Sequence, residues 1–229
     1  VLASLRRADG GVALAGFYDG VQDLAPEIRA QWQRLPFDQA GFLADVGLRI
    51  PAGESAYSIM EQVWARPSFE IHGLIGGYTD PGFKTVIPAK AHAKVSFRLV
   101  AGQDPLKIRD AFRAHVRALV PADCAVEFAS HGASPAISLP LDSSYLVATR
   151  DALGREWGTE AALAGTGGSI PIVGAFKRLL GMDTLLVGFA RFDNRIHSPN
   201  EKYDLSSFTG GIRSFVRVLS ALAEIETRP

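Results

Sequence analysis

The residues best suited to chemistry lie in three places. His197 sits in the run R-I-H-S-P-N-E-K-Y, on a polar loop (191–197) that follows the apolar run Thr184-Leu-Leu-Val-Gly188. A histidine just past a buried strand end is where α/β enzymes keep metal ligands and catalytic groups, although a lone loop histidine also serves as a cap or a surface residue. Gly167-Gly168-Ser169, ahead of Ile170-Pro171, sets a flexible loop and a capping hydroxyl at a helix N-terminus. The free N–H groups and positive dipole end of such a terminus suit a carboxylate or phosphate; the same residues also describe a plain N-cap turn. The loop lacks both G-x-x-x-x-G-K-[ST] and the second glycine of G-x-S-x-G, which argues against a nucleotide site and against Ser169 as a hydrolase nucleophile. Arg98 is the third candidate. Its planar fork suits bidentate capture of a carboxylate, or it is one of the charges that keep a solvated sheet edge from pairing. His72 and His92 read as structural or surface residues, and Cys124 has no obvious cationic neighbour to make its thiol reactive.

These residues need elements to hold them. Residues 69–75 (F-E-I-H-G-L-I) predict one strand. From Ala89 to Leu99 the alternation is strict, with Ala89, Ala91, Ala93, Val95, Phe97 and Leu99 on one face and Lys90, His92, Lys94, Ser96 and Arg98 on the other. That is a half-buried antiparallel strand with a wet, cationic face. Gly102-Gln-Asp-Pro105 starts a helix, with Asp104 as N-cap and Ile108, Ala111, Phe112, Val116 and Leu119 at helical spacing. Further helices are predicted over 25–34, 38–45, 55–65 (Ser55 as N-cap), 142–157 and 170–180. A long one runs from Asp204 with the apolar stripe Phe208, Ile212, Phe215, Leu219 and Leu222. Residues 12–18, 125–129, 161–163 and 184–188 read as additional strands. The fold class is α/β: an α+β module with an antiparallel sheet over 1–129, then part of a doubly wound domain over 130–229.

Composition excludes several classes of partner. The 229 residues carry no net charge, 47% are apolar and 21% charged, and no block of like charges stands out. Nothing in that balance asks for nucleic acid or an anionic membrane surface. No apolar run approaches the roughly eighteen residues of a membrane span. A single cysteine rules out an internal disulfide and fits a reducing, cytoplasmic setting. The chain starts at Val1, in what reads as the end of a helix, so a piece of a longer protein is expected.

Four stretches then occur in one order: F-E-I-H-G-L-I-G-G-Y (69–78), K-T-V-I-P-A-K-A-H-A-K-V-S-F-R-L-V (84–100), G-G-S-I-P-I-V (167–173) and I-H-S-P-N-E-K (196–202). In this the chain resembles the C-terminal half of the dinuclear zinc peptidases and deacylases: carnosinase, cytosolic non-specific dipeptidase and, more distantly, acetylornithine deacetylase and succinyl-diaminopimelate desuccinylase. The resemblance implies a zinc-dependent metallopeptidase or amidohydrolase cleaving a peptide or amide bond next to a free carboxylate, with a dipeptide or N-acyl amino acid as substrate. It implies that His197 is the final zinc ligand and that Gly168 and Ser169 bind substrate at the helix N-terminus. Arg98 would hold the substrate's carboxylate, and Thr85 would reach the active site of a partner subunit in a homodimer formed through the lid domain, residues 1–129. Residues 130–229 would be the returning segment of the catalytic domain.

By the same resemblance, the H-x-D motif, the bridging Asp, the Glu-Glu pair and the lid histidine all lie upstream of Val1. No catalytic residue then falls within this chain. The parent enzyme is expected to hold two zinc ions per subunit, and this piece alone is expected to hold none and to be inactive. The alternative is a non-catalytic dimerisation or binding module. Gly165-Thr166 stands where relatives often carry Arg-Glu, Ala101 where a Pro is frequent, and Arg195 where an Asn is frequent.

Overall fold

The computed structural model describes residues 1–166 and 170–226. The chain divides into two compact units, Val1–Ile137 with Ala164–Gly174, and Ser138–Leu163 with Ala175–Pro229.

The first unit carries three short helices, α1 (Pro26–Gln33), α2 (Gln39–Ala44) and α3 (Ile59–Trp64), then strands β1 (Ser68–Gly76) and β2 (Ala91–Arg98) and the helix α4 (Pro105–Leu119). Helix α3 opens on Ser58, not Ser55. The Ser58 hydroxyl accepts from the Glu61 N–H while the Glu61 carboxylate accepts from the Ser58 N–H, so two donors at the helix start are satisfied together. Asp104 caps α4 as the sequence predicts, accepting from the N–H groups of Leu106 and Lys107.

Strands β1 and β2 form a two-stranded antiparallel sheet in which Ser68 faces Arg98, Phe69 faces Phe97 and Gly76 faces Ala91, with a bulge between Ile71 and Gly73. Only the Arg98 end of the hairpin is packed. Phe69 is fully buried, at 0% exposure, and lies in a cluster with Leu5, Val12, Leu14, Phe17 and Ile108, against which Val95, Phe97, Leu99 and Phe112 pack. The apolar face of β2 is therefore covered from Val95 onward and open from Ala91 to Ala93. The turn before α4 is held by backbone contact. Gly20 and Gly102 both have positive φ, and a Cβ on either would lie 2.2 Å from the carbonyl oxygen of the other. Gln103, buried beside them, donates to the Phe17 carbonyl at 2.5 Å and accepts from the Val100 N–H at 2.8 Å.

In the second unit α5 (Ser144–Trp157) packs on α7 (Leu205–Glu226). The α7 face that packs is Ser207, Gly210, Gly211, Ser214 and Val218, and the expected stripe of Phe208, Ile212, Phe215 and Leu219 is largely exposed. The reason is steric. The Trp157 ring lies so close to α7 that a Cβ at Gly210 would meet it at 2.7 Å, and its indole N–H donates to the buried Ser214 hydroxyl at 2.8 Å. Small residues admit the tryptophan, whereas the large apolar stripe remains available for another surface. Helix α6 (Pro171–Leu180) crosses the division between the units.

The mixture of helices with an antiparallel sheet agrees with the α/β expectation. Four predicted strands do not form. Residues 12–18 make a single bridge, Arg6 to Val12, and then turn at positive-φ Gly16 and Gly20. Residues 125–129, 161–163 and 184–188 have no ladder partner among the described residues, and an apolar run without a neighbouring strand has no ladder to join. No helix among those residues is long and apolar enough to cross a membrane.

Candidate functional site

His197 is exposed, on a loop whose backbone is unusual. Among the described residues only Arg195, His197 and Asn200 combine a side chain with positive φ, at 53°, 61° and 60°. Left-handed backbone costs a residue with a Cβ about 1–2 kcal/mol, so it persists only where the surroundings enforce it. Here they do. A short 3-10 turn, Phe192–Asn194, buries Asn194 to 1% exposure, and the Asn194 side chain and backbone together bind both ends of the loop. Its Oδ1 accepts from the Arg191 N–H at 2.7 Å, and its Nδ2 donates to Asp204 Oδ2 at 3.1 Å, immediately before α7. Its backbone carbonyl accepts from the Lys202 N–H at 3.0 Å. Ser198 closes the tip, with both its N–H and its hydroxyl donating to the Arg195 carbonyl, at 3.0 and 2.8 Å.

Charge reinforces this frame. Lys202 Nζ lies 2.8 Å from Asp193 and 3.3 Å from Asp204, and Arg191 lies 3.7 Å from Asp204. The hydrogen bond from Lys202 holds the Asp193 carboxyl below its ordinary pKa, and the same bond raises the ammonium of Lys202. These are exposed ion pairs, each worth little alone. An open depression of about 470 Å³ beside the loop is lined by Ala190, Asn194, Ile196, Glu201, Lys202 and Tyr203. The sequence reading singled out His197 and missed Asn194. The available signal was an Asx residue inside a polar loop, a type that readily bonds nearby backbone.

Arg98 ends β2 on the wet face, beside Ser96, whose hydroxyl lies 2.6 Å from His72 Nε2 on the facing strand. Its placement follows from Phe97, which points the other way and sits 5.6 Å from Phe17, 5.1 Å from Phe69 and 5.5 Å from Phe112 between ring centroids. Thr85 is exposed at the centre of a three-residue turn, where the Val86 N–H donates to the Lys84 carbonyl at 2.9 Å. Arg98 and Thr85 belong to the first unit and His197 to the second. Gly168 and Ser169 lie outside the described residues. Just before them, Gly165 lies so close to α3 that a Cβ would fall 1.9 Å from the Trp64 carbonyl oxygen. A larger residue there needs the backbone to move.

A buried ion pair that the sequence reading did not identify supports the first unit. Arg66 and Glu54, each with a side chain only 10% exposed, meet at 2.6 Å, and the guanidinium stacks 4.2 Å from the Tyr57 ring centre. Burial works against the charge on Arg66, but its hydrogen bond to Glu54 outweighs this and raises its pKa.

The described residues contain no group of three or more His, Cys, Asp or Glu side chains that could hold a metal ion. Imidazole is a good ligand for zinc, yet catalytic zinc needs about three protein ligands. His197 thus fits one position of such a site, and the described residues do not make a whole one.

Residues 5–124 match the family described as the peptidase dimerisation domain. Over 229 residues the chain is 31% identical to a Cys-Gly metallodipeptidase of Saccharomyces cerevisiae, covering 98% of this chain and 47% of that protein. It is 26% identical to the human Beta-Ala-His dipeptidase, covering 98% of this chain and 45% of that one. Among solved structures it is similar to an M20 family metallo-carboxypeptidase of Sulfolobus solfataricus, with a TM-score of 0.81, 26% identity, and coverage of 95% of this chain and 50% of that chain. The chain spans about half the length of the curated relatives it matches.

Proposed function

This chain belongs to the peptidase dimerisation domain family, and from that premise we infer that it supplies the lid and the last catalytic segment of a zinc-dependent, dipeptidase-like hydrolase. The observation that carries the reading is the His197 loop: an exposed imidazole on enforced left-handed backbone, in a rigid frame just ahead of a long helix. Such a frame suits a group whose position matters more than its local comfort. The names of the similar proteins, a Cys-Gly metallodipeptidase and a metallo-carboxypeptidase, point to the same chemistry.

In this reading residues 1–129 form the lid and dimerisation domain, and 130–229 return to the catalytic domain. His197 is one zinc ligand among several, the rest lying outside this chain, and the parent holds two zinc ions per subunit. When bound, the metal supplies Lewis-acid polarisation and an activated water. This chain's own side chains bind and orient substrate. Arg98 takes the free carboxylate of a dipeptide or N-acyl amino acid, Gly168 and Ser169 hold it at the start of α6, and Thr85 reaches the partner subunit of a homodimer. The exposed stripe Phe208, Ile212, Phe215 and Leu219 supports incompleteness of the domain, because monomers rarely leave an extended apolar patch uncovered. This chain alone is then inactive, and the single cysteine supports a cytoplasmic setting.

The test is turnover by the full-length gene product on a panel of dipeptides that includes Cys-Gly and β-Ala-His. Hydrolysis that a chelator abolishes and added zinc restores is expected. Binding without turnover of any dipeptide or N-acyl amino acid contradicts the enzyme reading and favours a non-catalytic dimerisation module.

A further inference from the structure

We propose that Asn194 is a positioning residue for His197: it clasps the entry and exit of the loop and so enforces the backbone that presents the imidazole. This rests on the reading of His197 as a metal ligand, and it adds a residue that touches neither metal nor substrate.

Three observations carry it. First, Asn194 is almost wholly buried while its neighbours Arg191–Asp193 and Arg195–Asn200 are exposed, so it is the interior anchor of an otherwise solvated loop. Second, its hydrogen bonds reach both strands of the loop neck: Arg191 on the entry side through Oδ1, Lys202 on the exit side through the backbone carbonyl, and Asp204 through Nδ2. The amide offers an acceptor and a donor on separate atoms of one planar fork, and both are used here. Aspartate in its place would accept from Arg191 but present a second carboxylate to Asp204. Third, the residues with left-handed backbone, Arg195, His197 and Asn200, all lie between the points that Asn194 joins. Releasing the neck allows them to relax to ordinary backbone, which swings the imidazole away from any fixed position.

The ion pairs of Lys202 with Asp193 and Asp204 cross the same neck, but they are exposed and cannot by themselves set the geometry.

The experiment uses the full-length gene product. Amide hydrogen exchange is followed over residues 188–206, zinc retention is measured by competition with a chromophoric chelator, and kcat and KM are read on a dipeptide. In Asn194→Ala, exchange over the loop accelerates by at least about tenfold while α5 keeps its protection. Zinc retention falls by at least about tenfold, and kcat falls with KM changed by less than about threefold, the pattern of a displaced ligand and not of lost substrate contacts. Asn194→Asp shows the same losses. The double change N194D/D204N exchanges donor and acceptor across the neck and recovers both exchange and zinc retention to within about threefold of wild type.

Unaltered loop exchange in Asn194→Ala overturns the proposal, as does a double change that rescues nothing. The ligand reading is checked separately by His197→Ala, where zinc is lost and loop exchange is unchanged. Zinc retained in that variant removes the ligand reading, while the exchange result of Asn194→Ala still decides whether the clasp exists.

Discussion

Phe69 and Phe97 face one another across the β1–β2 ladder with ring centroids 5.1 Å apart, and this pair fixes which way Arg98 points. Phe97 turns inward onto Phe17, Phe69 and Phe112, so the next residue must turn outward. Phe97→Ala is expected to destabilise the first unit by about 3 kcal/mol, the low end for a phenylalanine because Phe97 is only half-buried. Urea unfolding measures it. A change below about 1 kcal/mol would mean that the aromatic cluster does not anchor β2.

Arg98→Lys keeps the charge and loses the planar fork. On substrates with a free carboxylate, the account expects transition-state binding to weaken by about 1.5–3 kcal/mol, read in kcat/KM. The corresponding amides should lose little. Equal losses on both sets would remove the carboxylate role.

The proposed reach of Thr85 across a dimer makes a sharper forecast. Thr85→Ala and His197→Ala homodimers should each be nearly inactive. Subunits of the two variants, mixed and allowed to exchange, should recover about a quarter of wild-type activity, because half the dimers then contain one intact site. No recovery after verified exchange would place Thr85 in its own subunit's site, or in none.

The α5–α7 contact carries a pH dependence with a definite sign. Hydrogen bonds from Arg217 and Arg213, at 2.8 and 2.5 Å, hold the Glu156 carboxyl below its ordinary pKa. A carboxyl lowered on folding contributes stability that is full above its unfolded pKa, about 4.3, and is lost as pH falls through the folded value. Wild type should therefore lose more thermal stability between pH 6 and pH 3 than Glu156→Gln, the difference growing as pH falls below the unfolded value. Parallel curves would show that the pair contributes nothing.

The elements that came through from the sequence were those whose signals are local. Asp104-Pro105 marks the start of α4, and the alternation from Ala89 to Leu99 marks β2 and its two faces. Ser58-Ile-Met-Glu61 carries a capping box in plain letters, whereas Ser55, just past the Pro51-Ala-Gly53 break, has the residue type of an N-cap but no Glu or Gln three residues on. What was not legible depended on contacts distant in the chain. Which face of α7 packs is decided by Trp157, more than fifty residues earlier, so hydrophobicity alone selected the stripe that is left exposed. Residues 184–188 have the composition of a buried strand, but no neighbouring strand pairs with them among the described residues. At the candidate site, His197 stood out by residue type and company. Asn194 did not, because its role lies in bonds to Arg191, Lys202 and Asp204 that only the folded loop reveals.

The central claim is that His197 is a metal ligand in the parent enzyme. Zinc per subunit, measured by elemental analysis on dialysed full-length protein, tests it most directly. The account predicts about two zinc ions per subunit in wild type and a clear deficit in His197→Ala, with the variant still folded and dimeric. A His197→Ala protein that keeps its full zinc complement would contradict it.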